Sequence, residues 1–150
     1  MDNEAEFLFG LYEKHIKGTP AKAIVADVTI FLCHLTNSVS KTLEAIPTTK
    51  VYINTRVVKH LYDKKPAEEF DFVVRYLHKI VKYPDCVYQN KNPKRGHFAF
   101  LKKIKSDNYL CSLEISEEEI FVVTAFRVRK ENYLKEYELL GSWKGDIPSS

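Results

Sequence analysis

Five histidines stand in the 150-residue chain, and their settings differ. His60 follows Lys59 on a short predicted helix just after a predicted strand, where an imidazole is held near the sheet. His97 starts a strand directly after Lys94-Arg95-Gly96. His15 and His34 fall on predicted N-terminal helices and read as structural, while His78 shares a solvated helix face with Arg75, Lys79 and Lys82. Histidine moves protons near neutral pH. Lysine and arginine stabilise the negative charge that builds on phosphorus during in-line displacement. RNA carries its own nucleophile, the 2′-hydroxyl. A metal-free site for cutting it therefore needs a base, an acid, and cationic or hydrogen-bonding groups around the phosphate. His60, Lys102 or Lys103, Thr124 and Arg127 are residues of those types, and Lys59, Lys94 and Arg95 are further candidate substrate contacts.

The distribution of charge supports a polyanionic partner. The formal net charge is only +3. Residues 50–105, however, hold 14 basic and 5 acidic side chains, and the segments on either side are net acidic. A concentrated basic region attracts phosphate backbones because binding releases condensed counterions. Tyr88, Phe98 and Phe100 are interleaved with it and could stack on unpaired bases. A solvated basic surface, or one that meets an acidic protein, has the same composition.

Several chemistries lack their motifs. There is no GxGxxG, no GxxxxGK[ST] and no GxSxG, so phosphate loops and a nucleophile elbow are unsupported. Cys33, Cys86 and Cys111 form no CxxC pair and are odd in number. They read as buried thiols of a reducing, cytoplasmic setting, not as a disulfide framework or a zinc site. No metal or cofactor is expected. The most apolar stretch, residues 21–35, contains Lys22, Asp27 and His34, and a membrane span needs about 20 apolar residues.

The elements that must position these residues follow from periodicity. Residues 2–17 read as a short helix ended by Gly18. Ile24, Val28, Phe31, Leu35, Val39, Leu43 and Ile46 then recur at helical spacing and predict a long helix from Pro20 to Pro47. The β-branched run within it makes a buried strand the competing reading. A short strand at Lys50–Ile53 leads into a helix capped by Asn54 or Thr55. Pro66 opens another helix that Pro84 closes. Cys86–Gln89, His97–Ile104, Tyr109–Ile115 and Glu119–Val128 read as strands joined by short turns. Lys130–Leu140 reads as a final amphipathic helix. The predicted fold is α+β: N-terminal helices, then a curved antiparallel sheet of four to five strands with packed helices. The expected division is a helical extension over 1–49, one domain over 50–141 and a flexible tail over 142–150.

Taken in order, several short motifs resemble the phage-type barnase–EndoU–colicin–RelE-like (BECR) nuclease domains. They are Val51-Tyr52-Ile53-Asn54 with Val58-Lys59-His60-Leu61, and Tyr83-Pro84-Asp85-Cys86-Val87. Phe100-Leu101-Lys102-Lys103 with Tyr109-Leu110, and Val122-Val123-Thr124-Ala125-Phe126, complete the set. The resemblance covers about residues 50 to 140. It implies a small, toxin-like or phage-related RNA-cleaving domain, a hydrolase on a curved sheet. By that similarity His60 is a general acid/base, Lys102 contacts the scissile phosphate and Thr124 hydrogen-bonds it. The resemblance also implies RNA as partner, with an acidic antitoxin or immunity protein as a further one. Many relatives carry "HPE" where this chain has Lys65-Pro66-Ala67-Glu68; either the lysine substitutes as a cationic group or that part of the site is altered, with His97 as a candidate second acid/base.

Strand alternation constrains the site. Val122, Thr124, Phe126 and Val128 are expected on one face and Val123, Ala125 and Arg127 on the other. Thr124 and Arg127 then reach one phosphate only through a bulge or at a strand end. Two other functions remain open on the same residues: a catalytically silent RNA-binding module, and a protein-interaction domain for an acidic partner.

Overall fold

The computed structural model describes residues 3–43, 46–91 and 96–143. Helix α1 (Asn3–His15) buries Ala5, Leu8 and Leu11, and its first and last turns carry acidic and basic side chains respectively, as the helix dipole favours. Gly18, at φ +80°, ends the turn that follows. Residues 19–28 then run without regular structure to strand β1 (Thr29–His34), helix α2 (Asn37–Leu43) and strand β2 (Lys50–Asn54). Helices α3 (Thr55–Lys64) and α4 (Ala67–Lys82) follow. Strands β3 (Cys86–Asn90), β4 (Phe98–Ile104), β5 (Asp107–Ser116) and β6 (Glu119–Arg127) come next. A 3-10 turn at Glu131–Leu134 and strand β7 (Tyr137–Ser142) complete the described chain.

The fold is α+β, and among the described residues seven strands form one sheet where four to five were expected. The order is β1-β2-β6-β5-β4-β3-β7, and every pairing is antiparallel except β2 with β6. Both extra strands come from segments predicted as helix. In the first, Ile24 is fully exposed while Leu32 and Cys33 are buried. Pairing of the β-branched and aromatic run Thr29–His34 with β2 outweighs the helical period, and a helix resumes only at Asn37. In the second, the Lys130–Leu140 segment forms a 3-10 turn and then β7, which pairs with β3 along Cys86–Asn90. That pairing satisfies backbone groups that a helix would leave open on β3. The expected boundary at residue 49 does not divide the sheet, because β1 pairs with β2.

The β4–β5 and β5–β6 hairpins turn at Lys105-Ser106 and Glu117-Glu118, all four residues at positive φ. That backbone matches the twist of the strands it joins.

One face of the sheet packs on the helices. Phe70, Val73, Val74, Leu77 and Val81 of α4 share the core with Phe98, Phe100 and Ile104 of β4, Cys111 and Leu113 of β5, and Ile120, Val122 and Ala125 of β6. Each such Val, Leu, Ile or Phe contributes about 1.5–3 kcal/mol by leaving water. Among the described residues no helix is long and apolar enough to cross a membrane.

A bulge in β6 sets the two faces. Val122 pairs with Leu113 and Thr124 with Ser112, so Val123 is the extra residue. Val122 and Ala125 therefore both point into the core, and Thr124 and Phe126 point to the opposite, open face. The expected grouping of Val122 with Thr124 and of Val123 with Ala125 is corrected by that one inserted residue.

Candidate active site

Helix α3 begins where β2 ends. The Asn54 side chain accepts the Arg56 backbone N–H at 2.7 Å and caps it. Its inward residues are Thr55, Val58, Lys59 and Leu61. Arg56, His60 and Lys64 are exposed, at the i, i+4, i+8 spacing that aligns side chains along one helix face. The His60 imidazole makes no hydrogen bond among the described residues. Helix α3 packs against β6, the strand that carries Thr124.

The segment before β1 is strapped along α3. Thr55 Oγ1 donates to Ala26 O at 2.6 Å and accepts from Val28 N at 2.9 Å. Lys59 Nζ donates to Pro20 O and to Asp63 Oδ1, both at 2.7 Å. The Lys22 backbone N–H donates to Asp63 Oδ2. The Lys59 and Lys22 hydrogen bonds hold the Asp63 carboxyl below its ordinary value. Between strap and helix lies a groove of about 520 Å³, lined by Arg56, His60 and Lys64 on one side and Lys22, Ile24 and Val25 on the other. Lys59, expected at substrate, is only 6% exposed and serves as a strut that holds the strap.

Thr124 lies on the open face of the sheet. Its cross-strand neighbours run Thr124, Ser112, Ala99 and Tyr88 across β6, β5, β4 and β3. Ala99 and Ser112 of this row are buried, and Gly96 closes over Ser112. At φ +84° a Cβ there would fall inside contact distance of Ser112 Oγ, so glycine is required. Phe126, two residues beyond Thr124 on the same face, has Lys65 Nζ 5.2 Å from its ring centre. The lysine that replaces the histidine of "HPE" thus stands beside the strand that carries Thr124.

Lys102 is elsewhere. It alternates with Phe100 and Ile104 on the helix face and pairs in register with Tyr109, a core residue stacked on Phe72 of α4. At 6% exposure its amine donates to Tyr83 O at 2.8 Å, with Asp85 Oδ1 at 4.0 Å. Burial drives its pKa down, against the opposing pull of Asp85. Asp85 accepts the Lys103 backbone N–H on its other oxygen. Lys102 and Thr124 therefore lie on opposite faces of the sheet, and Lys102 pins the turn between α4 and β3. Lys103 is exposed on the open face, opposite Asn108.

Arg127 also fails to join Thr124. The bulge lies before Thr124, so the two keep opposite faces. The Arg127 backbone N–H donates to the buried Glu69 carboxylate, which also binds the Arg129 guanidinium. His97 Nδ1 accepts the Ile115 N–H at 2.9 Å, which leaves Nε2 as the protonated nitrogen of a neutral ring. Lys94 and Arg95 lie outside the described residues.

The structure thus groups His60 with Arg56 and Lys64 beside β6, and it withdraws Lys59 and Lys102 into structural roles. Arg56 and Lys64 were not singled out from the sequence, although their four-residue spacing about His60 was the available signal. Among the described residues no three His, Cys, Asp or Glu side chains gather as a metal-ligand set.

Comparison with known proteins adds one match. A family model described as phage-Barnase-EndoU-ColicinE5/D-RelE like nuclease 3 matches residues 34–135. No curated protein and no solved structure matches the chain.

Proposed function

Because the chain belongs to the phage-Barnase-EndoU-ColicinE5/D-RelE like nuclease family, we propose that it is an endoribonuclease that works without a metal ion. His60 is the general acid/base, and Arg56 and Lys64 beside it hold the flanking phosphates. The observation that carries this reading is the exposed imidazole of His60, clear of hydrogen bonds among the described residues, between two cations on the helix that packs against β6. His97, by contrast, accepts the Ile115 N–H.

The chemistry balances with RNA alone. His60 takes the 2′-hydroxyl proton and the 2′-oxygen attacks phosphorus. The bond from phosphorus to the 5′-oxygen breaks, and that oxygen takes up a proton that the His60 imidazolium gives back, directly or through water. The products are a 2′,3′-cyclic phosphate and a 5′-hydroxyl end. The neighbouring cations offset the added charge on the phosphoryl oxygens. Lys102 enters this reading as a positioning residue, because its amine is bound to Tyr83 O on the other face.

The test is incubation of the purified full chain with end-labelled RNA in EDTA, beside a DNA strand of the same sequence. Cleavage of RNA alone, with cyclic-phosphate ends and a loss of about 10²–10⁴-fold in His60→Ala, is expected. Cleavage of the DNA strand, or unchanged cutting by His60→Ala, rejects the mechanism.

A further inference from the structure

Where β1, β2 and β6 lie side by side, the open face carries aromatic residues in register. Phe31 pairs with Tyr52, and Tyr52 with Phe121. Ring centres are 6.0 Å apart at both steps, and His34 extends the row 5.0 Å beyond Phe31. Phe31 is 43% exposed, and Tyr52 and Phe121 are only partly covered. The core of the protein lies on the other face, so these rings are not needed to fill it. Past Phe121, β2 and β6 separate as α3 begins. A hollow of about 420 Å³ opens there, lined by Thr29, Asn54, Arg56, Glu114 and Phe121 among others.

We propose that this row is a stacking track for the unpaired bases of an RNA strand, with the hollow seating one of them. The inference rests on the ribonuclease reading and extends it to the form of substrate, single-stranded RNA. Three features point to bases. Aromatic faces on a sheet stack on any base and need no sequence. Glu114 stands opposite Phe121 in register, where a carboxylate repels phosphate but accepts the N–H groups of base edges. Cations stand at the margins, with Lys50 opposite His34 at one end and Arg56 at the hollow. The track is also continuous with the candidate site, because Arg56 lines both the hollow and the groove beside His60. Phe31, on β1, precedes the residues that the family model matches.

The test measures binding of a short 2′-O-methyl RNA, which cannot be cleaved by its own 2′-oxygen, to the full chain. Phe31→Ala should weaken binding about 5- to 150-fold with an unchanged salt slope, because stacking is lost and no phosphate contact is. Phe31→Trp should restore it. An oligonucleotide with consecutive abasic positions should bind the unsubstituted chain more weakly by a similar factor, which needs no variant at all. A duplex of the same sequence should bind more weakly than the single strand. Affinities within about twofold for Phe31→Ala and for abasic RNA, or equal binding of the duplex, overturn the track. Cleavage of ordinary RNA is read in parallel. Cleavage with an unchanged Phe31→Ala affinity sinks only the track, while neither cleavage nor binding sinks the ribonuclease reading as well.

Discussion

Burial decides which cations remain available for phosphate. Lys102 has its amine on Tyr83 O beside Asp85, and Arg56 projects from α3 into solvent. The two substitutions should therefore fail differently. Lys102→Ala leaves Asp85 Oδ1, which already has no hydrogen-bond partner, as a buried charge with no counter-ion. Breaking a buried pair costs about 3–5 kcal/mol, which chemical denaturation would register directly. Arg56→Ala should leave stability within about 0.5 kcal/mol, as exposed positions do, and lower the salt slope of RNA binding by about 0.7. A stable Lys102→Ala protein with a reduced salt slope would return Lys102 to the phosphate. His60 contrasts with Lys102, since its ring is exposed and keeps both nitrogens clear of hydrogen bonds among the described residues.

At the scale of elements, Glu69 joins α4 to the end of β6. Its buried carboxylate accepts the Arg127 N–H at 3.2 Å and binds the Arg129 guanidinium. Burial alone would raise its pKa, but the two donors outweigh it and hold the carboxyl below its ordinary value. A carboxyl depressed on folding stabilises the protein above its unfolded pKa of about 4.3, and that contribution is lost as pH falls through the lower folded value. Thermal midpoints of the unsubstituted chain should therefore fall as the pH drops below about 4.3. Glu69→Gln should lie lower near neutrality and depend less on pH across that window. Parallel curves for the two proteins would show that the α4–β6 contact does not depend on this charge.

For the whole molecule, the N-terminal residues are part of one core. Leu8, Leu11, Ile16, Leu32 and Cys33 are buried with the sheet. Tyr12 sits against Tyr62 and Phe70 at ring-centre distances of 5.6 and 5.0 Å. The strap is tied to α3 through Thr55, Lys59 and Asp63. At about 1.5–3 kcal/mol for each large buried side chain, losing this segment removes an amount comparable to the whole stability of a domain, about 5–15 kcal/mol. A chain begun at residue 35 should lack a cooperative melting transition, and it would expose the outer edge of β2 to aggregation. A soluble truncated protein melting within a few degrees of the full chain would make the first 34 residues an appendage.

Local patterns carried much of this protein. The Asn54 cap, the apolar face of α4 and the β4–β5–β6 hairpins all follow from short-range spacing, and the ordered motifs from Val51 to Phe126 were enough to suggest the nuclease family. Tertiary structure decided what spacing leaves degenerate. Thr29–His34 and Tyr137–Ser142 are strands because β2 and β3 offer them hydrogen-bond partners, and no local period reports a partner distant in sequence. One inserted residue, Val123, reversed the faces of β6 beyond it. The sequence by itself determined which side chains are capable of phosphate chemistry. Only the three-dimensional pairing decided which of them are free to perform it, because burial and face are set by neighbours far along the chain.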